Sequence, residues 1–356
     1  MNEGTHMKAI TVEPHNPGSA RLEDIPGPDA REGSVLVEAV AVGVCGTDVE
    51  IIEGKYGWAP PGRTRLVLGH ESLGRVLEPG PTGGLQKGDL VVGIVRRPDP
   101  LPCPNCAVGE WDMCRNGQYT ERGIKQIDGF MSEQWRIEPE YAMKVDRSLG
   151  LLGVLLEPTT VVTKAWEQVQ AVGQRAFWEP SNVLVTGAGP IGLLAALVAR
   201  QHGLDVHVLD LPVSGPKPDL VRALGATYHV GRATDVGFKP DVIIECTGAA
   251  EVITQALTNI AAGGVICLTG VGSGGRAVSA PGLAELASAA VLKNNVVVGT
   301  VNANKRHWYR AGQVLSHADP AWLAKLITRR EPVDQFMRAL ERQPDDIKTI
   351  VQFAEV

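Results

Sequence analysis

Asn182-Val183-Leu184-Val185-Thr186-Gly187-Ala188-Gly189-Pro190-Ile191-Gly192 is the stretch on which the fold turns. Its first five residues read as a short buried strand. The glycines at 187, 189 and 192 follow in G-x-G-x-x-G spacing, and the apolar run from Ile191 reads as a helix to about His202. A second strand-like run, Asp205 to Leu209, ends at Asp210, an acid about twenty residues past the turn. The glycine pattern alone is weak. With a strand before it, a helix after it and an acid at that distance, it reads as a dinucleotide-binding loop. Gly187 would make the tight turn, Gly189 would let pyrophosphate approach the backbone, and Gly192 would let helix and strand pack closely. The helix start, which Pro190 opens, would hold the pyrophosphate through the free N–H groups from Ile191 onward and the helix dipole. Asp210 is placed to accept from the ribose hydroxyls. Thr247 and Asn302 are the other expected cofactor contacts.

Downstream, strands alternate with helices. Asp219–Leu224 reads as a helix closed by Gly225. Asp241–Glu245 and Gly264–Leu268 read as strands with a helix near Ala250–Ile260 between them, and Val296–Gly299 as the last strand. That alternation predicts a parallel, doubly wound sheet. Upstream, the first 150 residues are β-rich, with strands at Val35–Val40 and Leu90–Val95 and Gly/Pro-punctuated loops between. The tail from about Asn304 reads as helical, with a final strand near Thr349–Phe353 returning to the first domain. The fold class is therefore α/β in two domains: residues 7–168 with 304–356, and 169–303.

Composition narrows the function. Basic side chains number 34 and acidic ones 40, well mixed, for a net charge of -6. No basic stripe exists, which argues against nucleic acid as a partner. No apolar run reaches the length of a membrane span. The polar start, residues 1–6, has no signal-peptide core, and Met7-Lys8-Ala9-Ile10 reads as the natural first strand. A cytoplasmic location is expected. Of six cysteines, Cys246 and Cys267 lie in apolar strand-like runs and read as buried small hydrophobes.

The remaining cysteines point to metal. Cys45 follows a strand, His70-Glu71 comes about 25 residues later, and Glu157 lies near the domain junction. Cys45, His70 and Glu157 offer a thiolate, an imidazole and a carboxylate, a donor set that leaves a position on zinc for substrate.

These residues resemble one family. G-V-C-G-T-D (43–48), G-H-E (69–71), E-P-T-T (157–160), G-A-G-P-I-G (187–192) and G-T-V-N (299–302) are similar to motifs of the zinc-containing medium-chain alcohol/polyol dehydrogenases. Asp128-Gly129-Phe130-Met131-Ser132-Glu133 looks like their glucose 1-dehydrogenase branch. The resemblance implies a GroES-like catalytic domain built from both chain ends, a dinucleotide-binding (Rossmann) domain inserted in it, and a homo-tetramer or homo-dimer. It assigns Cys45, His70 and Glu157 to the catalytic zinc, with Glu71 binding it transiently or through water. Asp48 would hold the imidazole and Thr47 would pass the substrate proton outward, with Glu50 at the proton exit. Cys103, Cys106 and Cys114 resemble the family's structural zinc lobe, except that Pro100 stands where a fourth cysteine is usual; adjacent Asp99 could supply the missing ligand. Thr47, Glu121, Glu157 and Asn302 match sugar-contacting positions, with His307 a weaker candidate.

The implied reaction passes hydride from C1 of an aldose, glucose first, to a nicotinamide dinucleotide. Asp210 followed by Leu211-Pro212 favours NAD; Lys217 leaves NADP open. The other readings are a sorbitol- or threonine-type dehydrogenase, or a metal-free dinucleotide-binding protein. Relatives of the last kind lack the Cys/His/Glu set present here.

Overall fold

A computed structural model describes residues 6–271 and 283–356. Of the polar N-terminal extension, only His6 falls among the described residues, and it opens a strand, His6–Val12. The chain divides into two compact units, one running to Glu157 and resuming at Ala303–Val356, the other Pro158–Asn302.

The first unit begins with β-structure. β1 (Val35–Gly43) is buried continuously over its second half, which marks it as a central strand rather than an edge. It runs into α1 (Gly46–Ile52). β2 (Glu71–Glu78), β3 (Leu90–Gly93), β4 (Gln134–Ile137) and β5 (Ala142–Lys144) follow. β3 stops at Gly93, two residues short of the sequence expectation. The Asp128–Glu133 segment lies against the loop that carries His70: Gly129, Met131 and Phe130 donate their N–H groups to Val67, Leu68 and Gly69.

α2 (Leu156–Gly173) leads into the second unit. There β6 (Asn182–Thr186), α3 (Pro190–Gln201), β7 (Asp205–Leu209), α4 (Pro216–Ala223), β8 (Thr227–His229), β9 (Val242–Glu245), α5 (Ala250–Asn259), β10 (Val265–Leu268), α6 (Leu283–Lys293) and β11 (Val296–Gly299) alternate. The sheet order is β8-β7-β6-β9-β10-β11, all parallel. This is the doubly wound arrangement read from the sequence. One face is filled by Leu184, Ile243, Ile266, Ala256 and Ile260, each at most 1% exposed. α4 starts three residues before the expected Asp219, because Pro216 and Pro218 occupy its first turn, where a missing N–H costs no helical bond. β8 was not anticipated; three residues between a helix and a loop give too short a pattern.

The tail returns to the first unit through α7 (Lys305–Ser316), α8 (Pro320–Leu326), β12 (Ile327–Pro332), α9 (Phe336–Leu340) and β13 (Lys348–Gln352). β12 is a strand where only helix was expected. Its charged residues, Arg329, Arg330 and Glu331, hide the period of a sheet-edge strand. The seven-stranded sheet runs β5-β3-β2-β1-β13-β12, with β4 also paired to β1. β13 is antiparallel to β1, Ile350 opposite Gly43, and parallel to β12. Among the described residues no helix is long and apolar enough to cross a membrane.

The glycine turn after β6 is sterically fixed. Gly187 has φ +90°, and a Cβ on Gly192 would stand 1.8 Å from the Gly187 carbonyl oxygen. Gly192→Ala is therefore expected to cost about 1–3 kcal/mol by overpacking, read as a lowered thermal midpoint by circular dichroism; an unchanged midpoint would contradict the packing.

Candidate active site

Cys45, at the end of the β1–α1 connection, His70, just before β2, and Glu71, its first residue, bring one ligand atom each to within 4.8 Å of one another. Asp48 organises this cluster from the first turn of α1. Its Oδ2 accepts the Cys45 N–H at 2.9 Å, and its Oδ1 faces His70 Nδ1 at 3.4 Å, too loose an approach for a well-formed hydrogen bond. Asp48 is fully buried and His70 is 5% exposed. Burial works against a charged imidazole, yet Asp48 and Cys45 outweigh it and hold the His70 pKa well above its ordinary value. Thr47 Oγ1 lies 4.0 Å from the Cys45 sulfur.

Glu157 lies outside the 4.8 Å group. It is half-buried by area, but its carboxyl end is desolvated, which pushes its pKa to about 7, with neighbouring His70 and Lys348 pulling down and Glu71 and Asp48 pushing up. A thiol, an imidazole and two carboxyl groups thus share a poorly hydrated space. A divalent cation satisfies such a donor set, and the soft sulfur with nitrogen and oxygen suits zinc.

One partner of this cluster was missed in the sequence. Lys348 opens β13 and is 1% exposed; its Nζ lies 2.6 Å from both Glu71 carboxylate oxygens and 2.9 Å from the Val44 carbonyl. Burial alone would lower the Lys348 pKa; Glu71 and Cys45 hold it above its usual value. Lys348 and Glu71 sit on the strands flanking β1, so they meet across its end. They can do so because residue 43 has no side chain: a Cβ there would stand 2.0 Å from Glu71 Oε2. A lysine heading the apolar run Thr349-Ile350-Val351 was the available signal.

The second cysteine group is also assembled. The sulfurs of Cys103, Cys106 and Cys114 lie within 4.8 Å of one another. Cys103 accepts N–H bonds from Arg115 at 3.4 Å and Cys106 at 3.5 Å, and these pull its pKa down. Asp99 is not a member of that group. Its backbone N–H reaches the Cys106 thiol, its Oδ1 accepts from Leu101 N at 2.9 Å, and its Oδ2 is buried without a partner. Asn304, capping α7, ties the tail to this lobe by donating to Glu110 and Asp112.

In the second unit the glycine loop sits as expected between β6 and α3. Gly189 caps α3 without a side-chain bond, leaving first-turn N–H groups for a ligand. Asp210 accepts from Ala188 N at 3.0 Å and Leu211 N at 2.8 Å, and Lys217 Nζ stands 3.4 Å away. Asp210 thus braces the loop from the end of β7. The Thr247 hydroxyl is engaged by Glu245, a wholly buried acid at the end of β9 that also accepts the Thr247 and Gly248 N–H groups. Sequence reading did not single out Glu245; its apolar strand gave no hint of a turn-binding carboxylate.

The polar candidates divide between the units. Thr47 and Glu121 are in the first. Glu121 is 6% exposed and accepts from Arg96 Nε at 3.0 Å, while Arg96 stacks on Tyr119 and donates to the Asp112 carbonyl. Asn302 ends the second unit with φ +61°, a backbone state that asparagine tolerates. His307 is fully buried and accepts the Asn304 N–H at 3.0 Å, so it serves as a helix-capping group. Glu50, on α1, has its carbonyl bonded by Lys55 N.

Comparison with known proteins places this geometry. Residues 31–147 match the alcohol dehydrogenase GroES-like domain, and residues 150–353 match the glucose dehydrogenase C-terminus. Glucose 1-dehydrogenase 2 of Vulcanisaeta moutnovskia is 40% identical over 98% of this chain and 100% of its own. The chain belongs to the zinc-containing medium-chain dehydrogenases, in their glucose dehydrogenase branch. Glucose 1-dehydrogenase of Halobacterium salinarum is 39% identical over 98% of this chain and 99% of its own. The structure of Haloferax mediterranei glucose dehydrogenase in complex with NADP, Zn and gluconolactone superposes with a TM-score of 0.88 at 34% identity, covering 98% of this chain and 100% of that one.

For this dehydrogenase, the first glycine of G-V-C-G-T-D has a steric reason: it lets Glu71 reach Lys348. Gly43→Ala should displace that carboxylate and lower the thermal midpoint by the equivalent of about 1–3 kcal/mol, read by circular dichroism. A variant with wild-type stability would show that the close approach is unimportant.

Proposed function

We propose that this chain oxidises an aldose, glucose first, at C1, giving the lactone, the reduced nicotinamide dinucleotide and a proton. The observation that carries this is the convergence of Cys45, His70 and Glu71 beside Glu157 in a chain whose second unit holds a complete dinucleotide loop. The Haloferax relative's complex with NADP, Zn and gluconolactone supports the same chemistry. When bound, zinc supplies Lewis acidity that eases ionisation of the C1 hydroxyl, and the dinucleotide accepts the hydride.

The chain's own residues do the rest. Cys45, His70 and Glu157 hold the metal, with Glu71 close by. Asp48 orients the His70 ring, as an outer acid does for a ligating imidazole. Thr47, beside Cys45, takes the hydroxyl proton and hands it toward Glu50. Glu121, fixed by Arg96, and Asn302, Thr47 and Glu157 satisfy sugar hydroxyls that would otherwise be buried unpaired. Gly187, Gly189, Pro190, Ile191 and Gly192 receive the pyrophosphate; Asp210 selects the ribose, and Thr247 and Asn302 line its continuation. NAD is the preferred acceptor, because Asp210 repels a 2′-phosphate, while Lys217 beside it softens the repulsion enough to admit NADP. Asp99 completes a structural metal site with Cys103, Cys106 and Cys114; its unpartnered buried oxygen supports that role.

The protein works as a homo-dimer or homo-tetramer. β11 ends its sheet, and Val297 and Val301, 44% and 58% exposed, give that edge an apolar surface. None of its six cysteines is in a disulfide, which suits the cytoplasm.

One assay tests the reading. Glucose, galactose, xylose, sorbitol, threonine and ethanol are offered with NAD and with NADP, and reduced dinucleotide is followed by absorbance. An aldose should lead ethanol by orders of magnitude, kcat/KM should be higher with NAD, and Asn302→Ala should hurt aldoses most. Cys45→Ser should abolish turnover while dinucleotide still binds by fluorescence titration. Strong ethanol or threonine activity with none on aldoses would end the sugar reading; a fully active Cys45→Ser would end the metal assignment.

A further inference from the structure

The Glu71 carboxylate is claimed twice. It is one of the three ligand atoms that lie within 4.8 Å of one another with Cys45 and His70. It is also held at 2.6 Å through both oxygens by Lys348, whose third contact is the Val44 carbonyl at 2.9 Å. The ammonium has three donors and three acceptors, so it is fully used. Both side chains are 1% exposed, so water cannot replace either partner. A carboxylate so placed would serve as a ligand to a cation between Cys45 and His70, unless another cation held it more firmly.

We propose that Lys348 is a positioning residue that holds Glu71 off the catalytic metal and so keeps one coordination position free for the sugar hydroxyl. The proposal rests on the reading of zinc at Cys45, His70 and Glu157. The ammonium neutralises Glu71 in place, and its bond to Val44 fixes the backbone one residue before Cys45. Gly43 lets the pair form across the end of β1, and Lys348 arrives on the strand paired with β1. Without the ammonium, Glu71 would be a buried, uncompensated anion whose nearest cation is the metal.

The test uses the full-length protein loaded with cobalt in place of zinc, because cobalt absorption bands report coordination number. In Lys348→Met, Glu71 should become an added ligand. The visible bands should weaken and shift, metal loss to a chelator should slow by about tenfold, and turnover should fall. Lys348→Met combined with Glu71→Gln should restore the wild-type spectrum and release rate, since no anion remains to bind. Lys348→Arg should keep both. If Lys348→Met does not fold, Lys348→Gln, which keeps a donor but no charge, reads the same change. A wild-type spectrum and release rate in the folded single variant would overturn the proposal, as would a double variant still altered like the single one. A wild-type protein that takes up neither zinc nor cobalt would overturn the metal reading and this proposal with it, whereas uptake with an unchanged single variant overturns this proposal alone.

Discussion

The antiparallel pairing of Lys348–Gln352 with the end of Val35–Gly43 is the constraint on which the first unit depends. It inserts the chain's return between β1 and β12 and makes one sheet from two distant parts of the sequence. Three neighbouring strands then present their chemistry at one end. Cys45 follows β1, Glu71 opens β2, and Lys348 opens β13. The metal cluster is thus set by strand register, a more rigid support than loops of this length would be. A one-residue slip of β13 would turn Lys348 to the other face of the sheet and leave Glu71 alone.

The charges gathered there stabilise little on their own account. Asp48, Glu71 and Lys348 are all out of water, and a buried ion pair returns roughly the desolvation it costs. What such groups supply is direction. Each has a well-placed partner: Asp48 the Cys45 backbone, Glu71 the ammonium, and Lys348 both Glu71 and the Val44 carbonyl. The second unit uses the same device. Buried Glu245 binds the turn after β9, and Asp210 braces the glycine turn.

The sequence made the second unit largely legible, because its elements are local. A strand, a glycine turn and an apolar helix fall within twenty residues, and β7 runs Asp205–Leu209 as read. The first unit was legible in its motifs more than in its strands. Cys45, His70 and the three clustered cysteines declared themselves by residue type and spacing. Lys348 did not, because its partner lies 277 residues away and no short-range pattern encodes that contact. Arg96 was hidden for a similar reason: its bond to Glu121 joins two short strands with no hydrophobic period. His307 shows the converse. The sequence left this histidine open between a weak sugar contact and a cap on the return helix, and the ring does accept an N–H at that helix start.

The long separation between Glu71 and Lys348 also orders events during synthesis. The whole of Pro158–Asn302 lies between them in the chain, and it has its own sheet and core. On the ribosome that inserted unit can fold while Glu71 still lacks its cation. Collapse of the insert shortens the effective loop that must be closed, which reduces the entropy lost when β13 finally docks. The nascent first unit therefore passes through a stage in which Cys45, His70 and Glu71 exist without the strand that restrains them. Metal captured at that stage would meet a different ligand set from metal captured after the chain has closed.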